Sequence, residues 1–220
     1  MSKESLAEQI ANRLRRDILR GNLLPGMSVK ERDIAADIGV SRTPIREAIR
    51  ILSKEGLVEL RPSRSPIVAV SDISEVSDQA EVLIALEKLS AELACKKATD
   101  AEIENLSNIN AYMSENFDRT DPLDMFEIDM SFHMAIAAAS GNKALATTHG
   151  TFLRRLWRAR YLSAIQKRNR DRVVTHHTAI LNALRARDSV AARNAIDNHL
   201  QYLAEDIRSV IEQETATVSE

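Results

Sequence analysis

The chain has 220 residues, with 30 Lys and Arg against 32 Asp and Glu and a formal net charge of −2 at pH 7. This length allows one large or two modest domains, and the apolar content is ample for a core. A single cysteine, Cys95, excludes an internal disulfide. The sequence shows neither a signal peptide nor a run of about 18 apolar residues. We therefore expect a cytoplasmic protein with no membrane partner.

Two short helices are predicted before residue 40. Apolar residues at helical spacing indicate a first helix over residues 7–19 and a second over residues 30–38. Leu24-Pro25-Gly26 predicts a turn between them, and Gly39 ends the second helix. A helix, a three-residue turn that contains Gly and then another helix make a helix-turn-helix arrangement.

The next helix is predicted over residues 41–56. Ser41 can cap its N-terminus, Pro44 lies in the first turn, where a missing N–H costs nothing, and Gly56 ends it. Its apolar residues recur at helical spacing and define one buried stripe. These residues are Ile45, Ala48, Ile49 and Leu52.

The polar residues at the start of this helix indicate DNA binding. Arg42, Thr43 and Arg46 lie near its N-terminal end, away from the apolar stripe. Guanidinium groups bind guanine edges or phosphates in the major groove, and helix N-terminal N–H groups add phosphate contacts. An ordinary amphipathic surface helix would explain this segment equally well when it is taken alone.

A hairpin is predicted after this helix. The β-prone runs 57–60 and 67–70 flank a segment with two arginines, Arg61 and Arg64, and two prolines. Such a tip is typical of a wing that touches the DNA backbone or minor groove. A solvated turn is the alternative.

Taken together, these segments resemble the winged-helix domain of the GntR family of bacterial transcription regulators, over residues 6–70. The matching segments are Leu24-Pro25-Gly26, Lys30-Glu31-Arg32, the ten residues from Gly39 to Ala48, and Glu55-Gly56-Leu57-Val58. The resemblance implies that operator DNA is contacted by Arg32, Arg42, Thr43 and Arg46, with Ser41 assisting. Arg64, in the predicted wing, is a further candidate DNA contact. One departure is Ser65, which stands where wings of the family usually carry a glycine.

The rest of the chain reads as helices joined by tight turns, with no long stretch of period-two alternation. The helices are predicted over residues 73–98, 100–117, 121–140, 143–167, 170–187 and 189–212, with Asp100 and Asp121 as N-caps. Residues 1–70 hold 13 Lys and Arg against 9 Asp and Glu, and the remainder holds 17 against 23. We therefore expect an all-α fold with a small β wing: a basic winged helix-turn-helix domain over 1–71 and an acidic antiparallel helical bundle over 72–220.

Four residues of the bundle form a candidate metal site. Asp129 and His133 lie four apart on one helix, so their side chains project from one face about 5–6 Å apart. His177 and His199 each lie 11 residues from the predicted turn at Asp188. If the two helices form a hairpin, the two imidazoles therefore lie opposite each other, provided that both side chains face inward. Three imidazoles and a carboxylate suit Zn²⁺, Ni²⁺ or Mn²⁺. A core histidine with a satisfied hydrogen bond is the alternative for any one of them.

The bundle resembles the all-helical effector domain, the FCD domain, of the FadR-type subgroup of GntR regulators, over residues 76–210. The matching motifs are Asp129-x-x-Phe132-His133-x-x-Ile136, Ser140-Gly141-Asn142, His177-x-x-Ile180-x-x-Ala183-Leu184-x-x-x-Asp188 and His199-Leu200. Members of this subgroup often hold a metal with such an Asp and three His. They also commonly carry an arginine that binds a carboxylate ligand where this chain has Leu83. Leucine there indicates a different effector, a different anchor for the same acid, or a pocket that needs none.

The remaining histidines and the basic run between residues 154 and 172 have weaker assignments. His176 points about 100° away from His177, so we expect it to be exposed or behind the ligands, and His149 to be structural or solvated. The basic run is typical of a solvated helix face. If one of its arginines turns inward, Arg158 is a candidate for pairing an effector carboxylate.

The two resemblances together predict a cytoplasmic, ligand-responsive transcription regulator, not an enzyme. It would bind a pseudo-palindromic operator as a homodimer and a small organic acid that completes the coordination of the metal, with repression more expected than activation. A metal-dependent hydrolase or lyase with a DNA-binding head is the alternative. A dedicated acid–base partner, such as a His-Glu-x-x-His pattern, is missing from the sequence, which disfavours it. A third possibility is a purely structural metal.

Overall fold

The computed structural model describes the backbone of residues 4–218 and the side chains of residues 4–214. The chain forms two compact units, one that ends at Asp72 and one that begins at Ile73. The fold confirms the predicted class, a winged helix-turn-helix followed by helices, with a small two-stranded antiparallel sheet. Residues 1–3 and 219–220, at the ends of the two predicted domains, lie outside the described residues.

The first unit is the winged helix-turn-helix. Its elements are α1 (Leu6–Leu19), α2 (Glu31–Ile38), α3 (Arg42–Lys54), β1 (Val58–Glu59) and β2 (Ile67–Val68). The strands pair antiparallel with Val58 opposite Val68. The predicted apolar stripe of α3 is buried against α1 and the strands. That packing leaves the polar residues at the start of α3 on the surface.

The turn between α2 and α3 depends on a left-handed backbone. Gly39 has φ 75 and ψ 33, and its N–H donates to the carbonyl of Ala35. Glycine adopts this conformation without the Cβ clash that other residues meet. The chain can therefore leave α2 sharply and begin α3 three residues later.

The second unit is helical throughout its described elements. These are α4 (Ile73–Lys97), α5 (Asp100–Asn116), α6 (Pro122–Ala139), α7 (Lys143–Arg155), α8 (Trp157–Gln166), α9 (Arg170–Arg185), α10 (Ser189–Leu200) and α11 (Leu203–Val218). Apolar side chains of α4, α5, α6, α9 and α10 share one core. Within residues 4–218, no helix combines the length and the apolar character that crossing a membrane requires.

Two helices that we predicted to be continuous are each divided in two, and one cap is shifted. The first break falls at Leu156, between α7 and α8, and the second at residues 201–202, between α10 and α11. Neither break carries a glycine or a proline, so residue type gave no signal for it. The N-cap of α5 is Thr99 instead of Asp100, because Thr99 and Glu102 form a reciprocal capping box.

Two capping carboxylates position the helices that carry the predicted metal ligands. Asp121 caps α6 as predicted, accepting hydrogen bonds from the N–H groups of Leu123 and Asp124. Asp188 accepts from the first N–H groups of α10, which begins directly after the turn that ends α9. The α9–α10 pair therefore folds back on itself at the residue that the sequence indicated.

Candidate metal centre and nucleic-acid interface

The N-terminal end of α3 presents a cationic, exposed surface. Arg42, Thr43 and Arg46 are all exposed. Ser41 occupies the N-cap position with an extended backbone, and within the described chain its side chain makes no capping hydrogen bond. The Arg46 side chain is 55% exposed and its Nε lies 2.7 Å from Oε2 of Glu31. Because an exposed pair contributes at most about 1 kcal/mol, this guanidinium can exchange its partner for a phosphate or a base.

The other two predicted DNA contacts lie on α2 and in the wing. Arg32 is exposed in the first turn of α2, and Arg64 is exposed at the wing tip. Nε and Nη2 of Arg61 both donate to the carbonyl oxygen of Ser65, at 3.0 and 2.7 Å. The left-handed residue of the tip is Ser63, with φ 56. The wing therefore turns at Ser63 and is closed by Arg61, a role that the sequence did not indicate.

Helices α6, α9 and α10 bring the four predicted metal ligands together. Oδ1 of Asp129 lies 3.2 Å from Nε2 of His177 and 3.7 Å from Nε2 of His133. Nε2 of His133 lies 3.3 Å from Nε2 of His199. One ring nitrogen from each of the three imidazoles lies within 4.8 Å of the other two. The i, i+4 spacing on α6 and the hairpin at Asp188 produce this convergence.

These spacings fit a shared metal ion. Ligand atoms about 2.1 Å from one ion lie about 3.0–3.4 Å from each other in octahedral or tetrahedral geometry. Oδ1 of Asp129 and Nε2 of His177 are buried, and among the described residues neither has a well-formed hydrogen bond. Buried polar atoms rarely stay unsatisfied, and a cation would satisfy both. The donor set therefore suits a divalent ion.

The protonation states of the cluster also suit a metal. Burial lowers the pKa of His177, and burial together with the neighbouring imidazoles lowers the pKa of His199 well below its usual value. Burial opposes ionisation of Asp129, but the contact with His177 and the charges of the other imidazoles outweigh it, so the pKa of Asp129 is lowered. Neutral imidazoles and an ionised carboxylate are the forms that bind a metal.

A buried carboxylate behind the cluster was missed by the sequence reasoning. Oε2 of Glu87, on α4, accepts a hydrogen bond from Nδ1 of His133 at 3.1 Å. Its Oε1 accepts from Nε2 of His149 at 2.8 Å. All three side chains are fully buried. Burial opposes ionisation of Glu87, yet these two imidazoles hold its pKa well below the usual value.

This carboxylate fixes the orientation of His133. With Nδ1 committed to Glu87, Nε2 of the same ring faces the other ligands. His149, which we expected to be structural or solvated, is the buried structural partner of Glu87. His176 is partly buried, with its ring centroid 5.6 Å from that of His199. The only sequence signal for Glu87 was a charged residue on the buried face of α4, one turn after Leu83.

A cavity of about 110 Å³ opens beside the cluster. Asp129, His199 and Arg160 all contribute to its wall. Arg158, the arginine that we proposed for an effector carboxylate, pairs instead with Glu214 through both terminal nitrogens of its guanidinium. Apolar side chains form much of the remaining wall. They include Met113, Phe117, Phe126, Met130, Tyr161 and Leu200.

Two family models match the chain, and each covers one of the two units. The model "Bacterial regulatory proteins, gntR family" matches residues 6–68, and the model "FCD domain" matches residues 78–202. The chain belongs to the GntR family. Both resemblances inferred from the motifs are thereby confirmed.

Individual relatives agree with this assignment. The chain is 27% identical to the HTH-type transcriptional repressor RspR of Escherichia coli, over 97% of this chain and 93% of that protein. It is 30% identical to an HTH-type regulator of Streptomyces ambofaciens, over 90% of this chain and 83% of that protein. It is 26% identical to the repressor NanR of Klebsiella aerogenes, over 96% of this chain and 88% of that protein. The structure of E. coli McbR/YncC is similar with a TM-score of 0.72, covering 97% of this chain and 99% of that one at 21% identity, which supports the fold.

Membership of the family defines the general activity. This GntR-family protein is a transcription regulator with a DNA-binding winged helix and an FCD domain. A His cluster that can hold a metal lies inside that domain.

Proposed function

We propose that this GntR-family protein is a metal-containing repressor that releases its operator when a small carboxylate binds to the FCD domain. The observation that carries the proposal is the convergence of Asp129, His133, His177 and His199 beside a cavity. In this proposal the protein acts in the cytoplasm as a homodimer and has no catalytic activity. Two of the relatives are named as repressors, which supports the sign of regulation.

The DNA-binding half of the proposal assigns each contact to an exposed side chain. The end of α3 with Arg42, Thr43 and Arg46 would enter the major groove, with Ser41 at the N-cap. Arg32 and Arg64 would add contacts from α2 and the wing. The proposed DNA contacts are therefore Arg32, Ser41, Arg42, Thr43, Arg46 and Arg64. A homodimer would read two half-sites of a pseudo-palindrome, whose spacing is set by the dimer.

The metal half assigns Asp129 and the three imidazoles as protein ligands of Zn²⁺, Ni²⁺ or Mn²⁺. When bound, such an ion supplies positive charge and open coordination positions for an oxygen ligand. The residues of the chain hold it: His177 and His199 offer neutral imidazoles, and Glu87 orients His133. Asp129 contributes the anionic oxygen, partly open to the cavity.

Regulation requires that the effector distinguishes two states. A ligand shifts an equilibrium only through different affinities for the two arrangements of the protein, typically by about 1–3 kcal/mol. We propose that the acid binds more tightly to an arrangement whose winged helices do not fit the operator. The expected result is that the acid weakens DNA binding and that DNA weakens acid binding by the same factor.

Substitution of two ligands tests the metal assignment. Asp129→Asn and His177→Ala should abolish stoichiometric metal in protein dialysed against Ni²⁺ or Zn²⁺, as measured by elemental analysis. His176→Ala is the matched control, because this histidine is adjacent in sequence but is not one of the proposed ligands; it should retain one ion per chain. Circular dichroism checks that each variant is folded. Full metal content in folded Asp129→Asn and His177→Ala would show that the ligands are misassigned.

A further inference from the structure

Arg160 is a buried cation that the metal site does not use. Its side chain lies on α8 and the residue is only 6% exposed. Its Nη1 is buried, and no partner for it exists in the described part of the chain. A charge removed from water is normally paired, because leaving it unpaired is costly. Burial accordingly lowers the pKa of this guanidinium from its usual value.

The nearest anionic groups are already committed. Glu87 and Asp129 both act on the charge of Arg160. Glu87, however, accepts hydrogen bonds from His133 and His149, and Asp129 faces the imidazole cluster. A divalent ion in the cluster would add further positive charge beside Arg160. With that ion bound, the positive charges of the ion and Arg160 exceed the negative charges of Glu87 and Asp129 by one, so the site can accept one additional anion.

The cavity places this unpaired cation next to the cluster. Arg160, Asp129 and His199 line the same space, so a ligand in the cavity lies beside both Arg160 and two of the proposed metal ligands. Three other cations line the wall. Lys167 pairs with Asp206, Arg168 donates to the carbonyl of Phe117, and Arg172 is exposed to solvent. Among the cations of the wall, Arg160 is thus the one that is buried with a free hydrogen-bonding position.

We propose that Arg160, buried with an unpartnered Nη1 beside the cavity, is the anchor for the carboxylate of the effector. Leu83 is fully buried in the packed face of α4 and offers no charge. Of the explanations that the sequence left open, the geometry favours a different anchor for the same kind of ligand. This inference rests on the effector role proposed above for the FCD domain.

The dimensions of the cavity narrow the chemical class. Its volume of about 110 Å³ is smaller than the cavity of about 150 Å³ that binds benzene in a well-studied engineered protein. One free guanidinium and one metal position suit a single carboxylate, and the apolar wall suits a short carbon skeleton. The predicted ligand is a short-chain monocarboxylic acid, not a fatty acid or a polyphosphate.

The experiment measures acid binding and metal content in the same samples. Acetate and glycolate serve as probes at millimolar concentration, with acetamide as the uncharged control and malonate as the dicarboxylate. Calorimetry on Ni²⁺-loaded full-length protein should show binding of the monocarboxylates but not of acetamide, with malonate weaker. Arg160→Gln should retain one metal ion per chain and bind these acids about 10- to 100-fold more weakly, and Arg160→Lys should restore part of the affinity.

The matched control is Arg158→Gln combined with Glu214→Gln, which removes the other buried arginine of α8 together with its partner. This variant should bind acids as the wild type does. Unchanged acid affinity in Arg160→Gln would overturn the proposal, and so would loss of metal together with acid, or no acid binding by metal-loaded wild type. A wild type that binds acid through Arg160 but takes up no metal would instead refute the metal site and leave the anchor standing.

Discussion

Glu87 and His133 meet in the interior of the FCD domain, with Oε2 3.1 Å from Nδ1 and both side chains fully buried. A carboxylate that accepts a hydrogen bond from the other ring nitrogen raises the basicity of a metal-bound imidazole and holds its ring in place. The candidate metal site therefore involves α4 in addition to the three helices that carry the proposed ligands.

Glu87→Gln should weaken metal binding without removing a ligand. The amide keeps the shape of the carboxylate, but it is neutral. It also has only one acceptor oxygen, so it cannot accept hydrogen bonds from both His133 and His149. We expect affinity for Ni²⁺ or Zn²⁺ to fall about 10- to 100-fold, measured by competition with a chromophoric chelator. Glu81→Gln, an exposed change on the same helix, should leave affinity unchanged. Equal affinities of the two variants would refute the role assigned to Glu87.

Binding of the acid and binding of the metal should strengthen each other if the acid lies in the cavity beside the ion. A ligand that contacts the ion and Arg160 together should slow removal of Ni²⁺ by EDTA and raise its apparent affinity. Stopped-flow chelation with and without glycolate measures the effect, and acetamide is the control. A purely structural metal makes the opposite prediction: chelation lowers the melting temperature strongly, and glycolate changes nothing.

The cap of α6 should contribute to the stability of the domain. Asp121 accepts from the N–H groups of Leu123 and Asp124 at the start of the helix that carries Asp129. Asp121→Ala should lower the free energy of unfolding by about 1 kcal/mol, measured by urea titration of metal-free protein. Asp118→Ala is the control, because that side chain is 77% exposed and its ion pair with Arg170 is 3.9 Å long. Such a surface pair contributes little. A stability loss that is equal in the two variants would mean that the cap is unimportant.

Periodicity in the sequence predicted the helices of both units, although not the breaks at Leu156 and residues 201–202, and it indicated which proposed ligands share a helix face. Asp129 and His133 share a face because they are four apart, and the turn at Asp188 makes His177 and His199 level. These relationships are local along one helix or one hairpin, so that spacing alone indicates them.

The rest of the site depends on which helices pack together, and spacing does not contain that information. Glu87 and His149 lie on different helices and meet only because α4 packs against α7. The break at Leu156 has a similar effect, because it resets the helical phase ahead of both arginines. Counting along a continuous helix therefore could not show which of the two arginines lies at the cavity. The structure shows that Arg160 lines the cavity and that Arg158 pairs with Glu214.

Arg46→Ala should weaken operator binding while the fold stays intact. The side chain is 55% exposed and forms an ion pair with Glu31, so its removal leaves no cavity in the core. If the guanidinium binds a base edge, the loss should be about 1–3 kcal/mol, or about 5- to 150-fold in affinity. Fluorescence anisotropy at fixed salt measures this on a duplex that the wild-type protein enriches from a random pool. Lys54→Ala, a loss of the same charge in the last turn of α3, is the control.

The salt dependence distinguishes the two kinds of contact that Arg46 could make. Loss of a phosphate contact would weaken binding to every duplex and reduce the slope of log K against log salt concentration by about one. Loss of a base contact would weaken binding to the enriched duplex alone and relax its sequence preference at one position in each half-site. We expect the second pattern, because the exposed N-terminal end of a recognition helix is the part that reaches base edges. Affinity equal to that of Lys54→Ala on every duplex would show that α3 does not enter the groove by this end.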